Sequence, residues 1–229
     1  MNILITENEN LNKTILYKLR RIGNVFVKNF NYEDDLIESI ADIDILFIRF
    51  KIYISKKIII NAKKLKYILC ASTGTNHIDI DAVKNHNIKL ITLKGESAFL
   101  SSIPSTAEFT WGLMLNLVRK INFSYFDVLE NKWNRNDFIG NNLSGKKYGI
   151  VGLGRVGKQV AHFAKAFNME VRYYDHKVIS KAYLKTKNLN ALFKWADIIS
   201  IHVDLNESSK KMINKKIFSK DNEIYLINT

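Results

Sequence analysis

The chain has 229 residues, 47% of them hydrophobic, which is enough for a buried core and excludes a wholly disordered chain. A single cysteine, Cys70, excludes an internal disulfide, and no run of about 18 apolar residues is present to span a bilayer. The net charge of +13 raises nucleic acid as a partner, but the lysines are spread along the whole chain in short pairs, so that partner is not expected.

Residues 2–6 form a short strand pattern without the charged-then-apolar build of a signal peptide, which points to a cytoplasmic protein. Further strands are predicted over 24–28, 45–49, 67–71 and 89–92, with helices over segments such as 11–21 and 58–64, a βα layout. Cys70 ends the apolar run 67–70 in the fourth strand and reads as a small buried thiol. The chain divides near residue 100 without a Gly/Ser-rich linker. Pro104 fits the start of a long helix from Ser105, where Phe109, Leu113, Met114, Leu117, Val118 and Ile121 recur at helical spacing. That stripe reads as core packing or as a subunit interface. Strands follow over 147–151, 198–203 and 223–228, and residues 169–175 are an apolar run closed by Asp175.

Chemistry first becomes visible in the run Tyr148-Gly-Ile-Val-Gly-Leu-Gly-Arg-Val-Gly157. Gly152 permits a tight strand-to-helix turn, Gly154 lets a pyrophosphate approach the backbone, and Gly157 lets helix and strand pack closely. The N–H groups of Arg155 and Val156 then face the phosphates at the positive end of the helix dipole. Val156, Val160, Phe163, Ala164 and Phe167 give the following helix one apolar face, and a second strand then ends in Asp175. A carboxylate there can bind the ribose hydroxyls of NAD and repel the 2′-phosphate of NADP, so NAD is the expected cofactor.

With these pieces in order, the sequence resembles the D-isomer-specific 2-hydroxyacid dehydrogenases, and among them the phosphoglycerate dehydrogenase-like branch. The likeness is carried by Ile68-Leu-Cys-Ala-Ser-Thr-Gly-Thr-Asn-His-Ile-Asp79, Thr106-Ala-Glu-Phe-Thr-Trp-Gly-Leu-Met-Leu115, Leu143-Ser-Gly-Lys146 and Ala196-Asp-Ile-Ile-Ser-Ile-His-Val203. It implies an α/β protein: a Rossmann-type doubly wound parallel sheet over 103–229, preceded over 1–102 by a flavodoxin-like βα substrate lobe. It also implies a homodimer through the cofactor domain. The loop Ser72, Thr73, Gly74 and Thr75 would offer backbone N–H groups to a substrate carboxylate. His202, Val203 and Asp204 would border the cofactor, with Thr229 beside it, although the family usually has proline where this chain has Asp204.

The same resemblance implies a C-terminally incomplete chain. Relatives continue past the strand that matches 224–229 into an Arg-Gly turn and later supply a glutamate and a histidine. Reduction of a 2-keto acid needs a cation to orient the acid and a proton donor near the developing alkoxide. The chain as it stands is therefore expected not to turn over, and no catalytic residue is assigned. Of His77, His86, His162, His176 and His202, only His77 and His202 fall in segments expected near the cleft. No metal is expected either, because no His/Cys cluster has ligand spacing. Three readings stay open: an NAD-dependent dehydrogenase of a small 2-hydroxy acid, a non-catalytic NAD-binding module or sensor, and a nucleic-acid-associated regulator supported only by charge.

Overall fold

The computed structural model describes residues 1–7, 9, 11–218 and 223–229. The chain forms two compact units, Met1–Glu96 and Ser97–Thr229. The first contains β1 (Asn2–Ile5), α1 (Lys13–Arg20), β2 (Asn24–Val27), α2 (Glu33–Ile40), β3 (Ile45–Ile48), α3 (Lys56–Asn61), β4 (Tyr67–Cys70), α4 (Ile80–Asn85) and β5 (Lys89–Thr92). Its five strands are all parallel in the order β2-β1-β3-β4-β5, the flavodoxin-like order. Parallel neighbours need crossovers, and short polar caps start three of the four helices. Asn12 accepts from Thr14 N, Ser55 from Lys57 N and Ile58 N, and Asp79 from Ala82 N, each satisfying a donor that the first helical turn leaves open. Leu4, Leu46 and Ile68 from the sheet meet Leu36, Ile40, Ile58 and Val83 from the helices in one core.

The second unit contains α5 (Ser97–Ser101), α6 (Ser105–Arg119), α7 (Ile121–Leu129), β6 (Lys147–Val151), α8 (Arg155–Ala166), β7 (Glu170–Tyr174), β8 (Leu184–Lys185), α9 (Leu189–Trp195), β9 (Ile198–Ile201) and β10 (Tyr225–Asn228). All its strands are parallel, in the order β10-β9-β6-β7-β8. Alternation along β6 gives the sheet its two buried faces. Tyr148 and Ile150 pack with Ala107, Trp111 and Met114 of α6 and with Val160 and Ala164 of α8. Val151 packs on the opposite side with Leu192 and Phe193 of α9. This is a doubly wound sheet, as the resemblance implies.

Two details differ from the sequence expectation. The units divide after Glu96, ahead of residue 102, because α5 is tied to the second unit: Arg155 Nη1 donates to the carbonyls of Leu100 at 3.2 Å and Ile103 at 3.0 Å. The apolar stripe of α6 also splits. Met114 and Val118 are buried, whereas Phe109 is 62% exposed and Leu113, Leu117 and Ile121 also face outward. Ala107, Thr110 and Trp111 take the inward positions instead, so α6 has two apolar faces and only one is covered within the chain. α7 buries none of its residues and displays Phe123, Tyr125, Phe126, Val128 and Leu129. Among the described residues, no helix is long and apolar enough to cross a membrane.

Candidate functional site

Strand register assembles the site. Val151 at the end of β6 lies level with Tyr174 of β7 and Ile201 of β9, so Gly152, Asp175 and His202 leave the sheet side by side at its carboxyl edge. Here the strand order reverses about β6, the place where open α/β sheets form a ligand crevice. Two bonds carry the register past the strands: Gly152 N donates to Tyr174 O at 2.8 Å, and His202 N to Val151 O at 2.7 Å.

The three glycines sit in three different environments. Gly152 has φ +92°, and a Cβ there would lie 2.7 Å from His202 O and 2.8 Å from Val203 Cγ1. A Cβ on Gly157 would lie 2.1 Å from Gly152 O, so helix α8 can cross the turn this closely only without a side chain. Gly154 differs from both. It sits at the N-cap of α8 with φ −71°, open to any residue, and a Cβ there would meet nothing within 4 Å. Neither conformation nor packing requires this glycine, and its side opens onto free space. No side chain caps α8, so the N–H groups of Arg155, Val156 and Gly157 stand at the positive end of its dipole. The Arg155 guanidinium is turned away, onto the carbonyls of Leu100 and Ile103.

Asp175 is locked in place. Its Oδ2 accepts from Leu153 N, and its Oδ1 accepts from Lys177 N and Val178 N, all at 2.8 Å. Burial presses its pKa upward, but the N–H groups of Val178, Lys177 and Leu153, with the nearby Lys185 charge, outweigh that and hold it below the ordinary carboxylate value. The donor from Leu153, inside the glycine motif, couples the acid to the turn and could not be read from spacing alone. A carboxylate has about four acceptor positions, so one remains for a ligand hydroxyl.

Beyond β9, Val203 lies against Gly152, and the Asp204 carbonyl accepts from Ser209 Oγ at 2.6 Å, which fixes the loop. His202 Nε2 lies 2.8 Å from Ser200 Oγ, and burial pushes its pKa down to about 4. Thr229 Oγ1 lies 3.1 Å from Thr110 Oγ1 of α6. The residues of the second unit expected at the cofactor thus gather around the β6–α8 turn, with Thr229 following β10, the strand beyond β9 in the sheet.

Ser72, Thr73, Gly74 and Thr75 belong to the first unit and follow β4. Ser72 is occupied internally: its N–H donates to Cys70 O at 2.7 Å, its Oγ donates to Gly74 O at 2.7 Å, and Cys70 Sγ lies 3.0 Å from the same Oγ. The N–H groups of Thr73, Gly74 and Thr75 have no partner among the described residues, so the loop's open donors begin at Thr73. Cys70 is buried, which raises its pKa and keeps it a thiol. Its Sγ also lies 3.4 Å from His77 Nε2. Burial lowers the His77 pKa, against a smaller upward pull from the Arg49 carbonyl and Glu7.

Comparison with known proteins agrees with this geometry. The catalytic domain of the D-isomer specific 2-hydroxyacid dehydrogenases matches residues 3–167, and the NAD binding domain of the same family matches residues 111–229. The chain is 35% identical to the hydroxypyruvate reductase of Thermotoga maritima over 199 residues, covering 86% of this chain and 63% of that protein. It is 32% identical to the D-3-phosphoglycerate dehydrogenase of Methanocaldococcus jannaschii over 221 residues, covering 94% of this chain and 41% of that one. The chain thus spans less than two thirds of the length of either relative. The TT0316 protein from Thermus thermophilus superposes with a TM-score of 0.86 at 27% identity, covering 100% of this chain and 73% of that one. Fold, glycine turn and both family matches agree: the chain belongs to the D-isomer specific 2-hydroxyacid dehydrogenase family.

Proposed function

We propose that this chain serves an NAD-dependent oxidoreductase that acts on the CH–OH group of a small 2-hydroxy acid or on the matching 2-keto acid. The observation that carries the proposal is the free space beside Gly154 at the uncapped start of α8, a cradle that a single Cβ would begin to fill. When bound, the nicotinamide supplies the hydride acceptor or donor; the chain's own residues supply position and charge. Arg155 and Val156 N–H groups hold the pyrophosphate, Gly152 and Gly157 set the turn, and Asp175 accepts from the ribose and disfavours a 2′-phosphate. His202, Val203 and Asp204 border the cofactor on the β9 side, with Thr229 beyond them. In the first unit, Thr73, Gly74 and Thr75 present backbone donors to the carboxylate, and Ser72 braces the loop from beneath.

The outward apolar residues of α6 and α7 support a homodimer through the second unit, and one free cysteine accords with a cytoplasmic address. A second reading, an NAD-binding module without turnover, is favoured by one observation. His77 and His202 face Cys70 and Ser200, and burial lowers the pKa of both, which disfavours the charged imidazolium that would donate a proton.

NADH fluorescence titration tests the common part: we expect saturable binding that is weaker for NADPH and lost in Gly154→Val. Equal affinity for NADPH overturns the cofactor assignment. Following NADH oxidation with hydroxypyruvate, glyoxylate and phosphohydroxypyruvate then separates the two readings.

A further inference from the structure

The first unit holds a pocket of about 340 Å³ lined by Phe50, Tyr53, Gly74, Asn76 and His77. Its walls are fixed by four hydrogen bonds from main-chain N–H groups. Ile54 N donates to His77 O and Asp79 N to Ile54 O, both at 2.8 Å, and Glu7 Oε1 accepts from Arg49 N and Lys51 N at 3.1 Å each. These four bonds hold the chain on either side of Phe50 and Tyr53. The Phe50 ring lies 5.2 Å from the His77 ring, tilted by 53°. Phe50 and Tyr53 are nevertheless 61% and 54% exposed, so two aromatic rings face solvent on a preformed frame.

Gly74 is shared between this pocket and the loop of open N–H donors, so a ligand anchored on that loop would direct its remainder toward the rings. The lining is also uncharged. Among the described residues, none that line the pocket is Lys or Arg, and burial lowers the pKa of His77. Arg49 is not among the lining residues; its exposed side chain donates from Nη1 to Glu9 O at 3.4 Å. A phosphoryl group needs cationic or several N–H partners, whereas an aryl ring needs only apolar walls, and a cavity of about 150 Å³ already holds benzene.

We propose that Phe50 and Tyr53 select the side chain of the acid, and that this chain takes a 2-keto or 2-hydroxy acid with an aromatic or bulky apolar side chain rather than a phosphorylated one. The inference rests on the Thr73–Thr75 loop as the carboxylate site. Calorimetric titration of the 229-residue chain in the presence of NADH, with pyruvate, phenylpyruvate and phosphohydroxypyruvate, tests both. Phenylpyruvate is expected to bind at least about tenfold more tightly than pyruvate, and phosphohydroxypyruvate no more tightly than pyruvate. Phe50→Ala and Tyr53→Ala should remove the advantage of phenylpyruvate over pyruvate, with Phe50→Leu in between; both side chains are exposed, so circular dichroism should be unaltered. Pyruvate binding with no phenylpyruvate advantage, or tightest binding of phosphohydroxypyruvate, overturns the selection and leaves the loop reading standing. Failure of all three acids to bind overturns the loop reading and the selection together.

Discussion

Alanine at each of the three motif glycines should separate folding from binding. At Gly152 the new Cβ sits 2.7 Å from His202 O on a backbone with φ +92°, combining left-handed strain with overpacking, a loss of about 2–5 kcal/mol. At Gly157 the Cβ would be 2.1 Å from Gly152 O, and helix α8 must shift away from β6 at a cost of about 1–3 kcal/mol or more. Gly154 has φ −71° and nothing within 4 Å, so exchanging one weak N-cap for a poorer one changes stability by less than about 1 kcal/mol. Its methyl group nonetheless enters the space where the pyrophosphate would lie, and NADH affinity should fall at least about tenfold. Urea unfolding and NADH fluorescence titration on the same preparations read the two quantities. Gly154→Ala that binds NADH like the parent chain, or that loses as much stability as Gly152→Ala, refutes the assignment of that space to a cofactor.

Asp175→Ala should weaken NADH binding and narrow its advantage over NADPH, measured by parallel titrations, because the negative charge that disfavours a 2′-phosphate is gone. His202 is partly buried with a pKa of about 4, below its unfolded value near 6.5, so the unfolded chain binds the extra proton between these limits. Stability is complete above about pH 6.5 and falls as pH drops toward 4, by on the order of 3 kcal/mol; urea unfolding at pH 7 and pH 4.5 should show the decline, and His202→Gln should flatten it. Trp111, packed against Tyr148, Phe163 and Phe167, joins α6 to the sheet, and Trp111→Ala should cost about 3–5 kcal/mol in the same unfolding assay.

The strands of both sheets except the short β8 were legible from apolar runs, and β5 and β6 have the predicted ends. Strands buried on both faces are continuous apolar segments, which is why 2–6, 45–49 and 147–151 stand out. The glycine turn was legible because a dinucleotide fold needs its glycines at fixed offsets. What escaped depends on contacts distant in sequence. Phe109 and Trp111 are both large and apolar, and only packing against α8 and Tyr148 decides that Trp111 turns inward. The attachment of α5 depends on Arg155, more than fifty residues away along the chain. Phe50 and Tyr53 became notable only when β4 and its loop were placed beside them, although two aromatic residues in an Ile/Lys-rich stretch were a weak signal.

The glycine turn has a mechanical consequence. His202 O and Val203 limit Gly152 from one side, and Gly152 O limits Gly157 from the other, so the post-β9 loop, the turn and α8 form a stack without slack. A shift of the loop must pass to the helix through main-chain atoms, which have no alternative rotamers to absorb it. Asp175, held by Leu153 N, moves with the same stack. A dinucleotide would thus meet a surface already rigid in its bound shape and lose little affinity to ordering it. The same rigidity constrains inheritance: a descendant could accept a side chain at position 152 or 157 only by re-laying the loop after β9 in the same step.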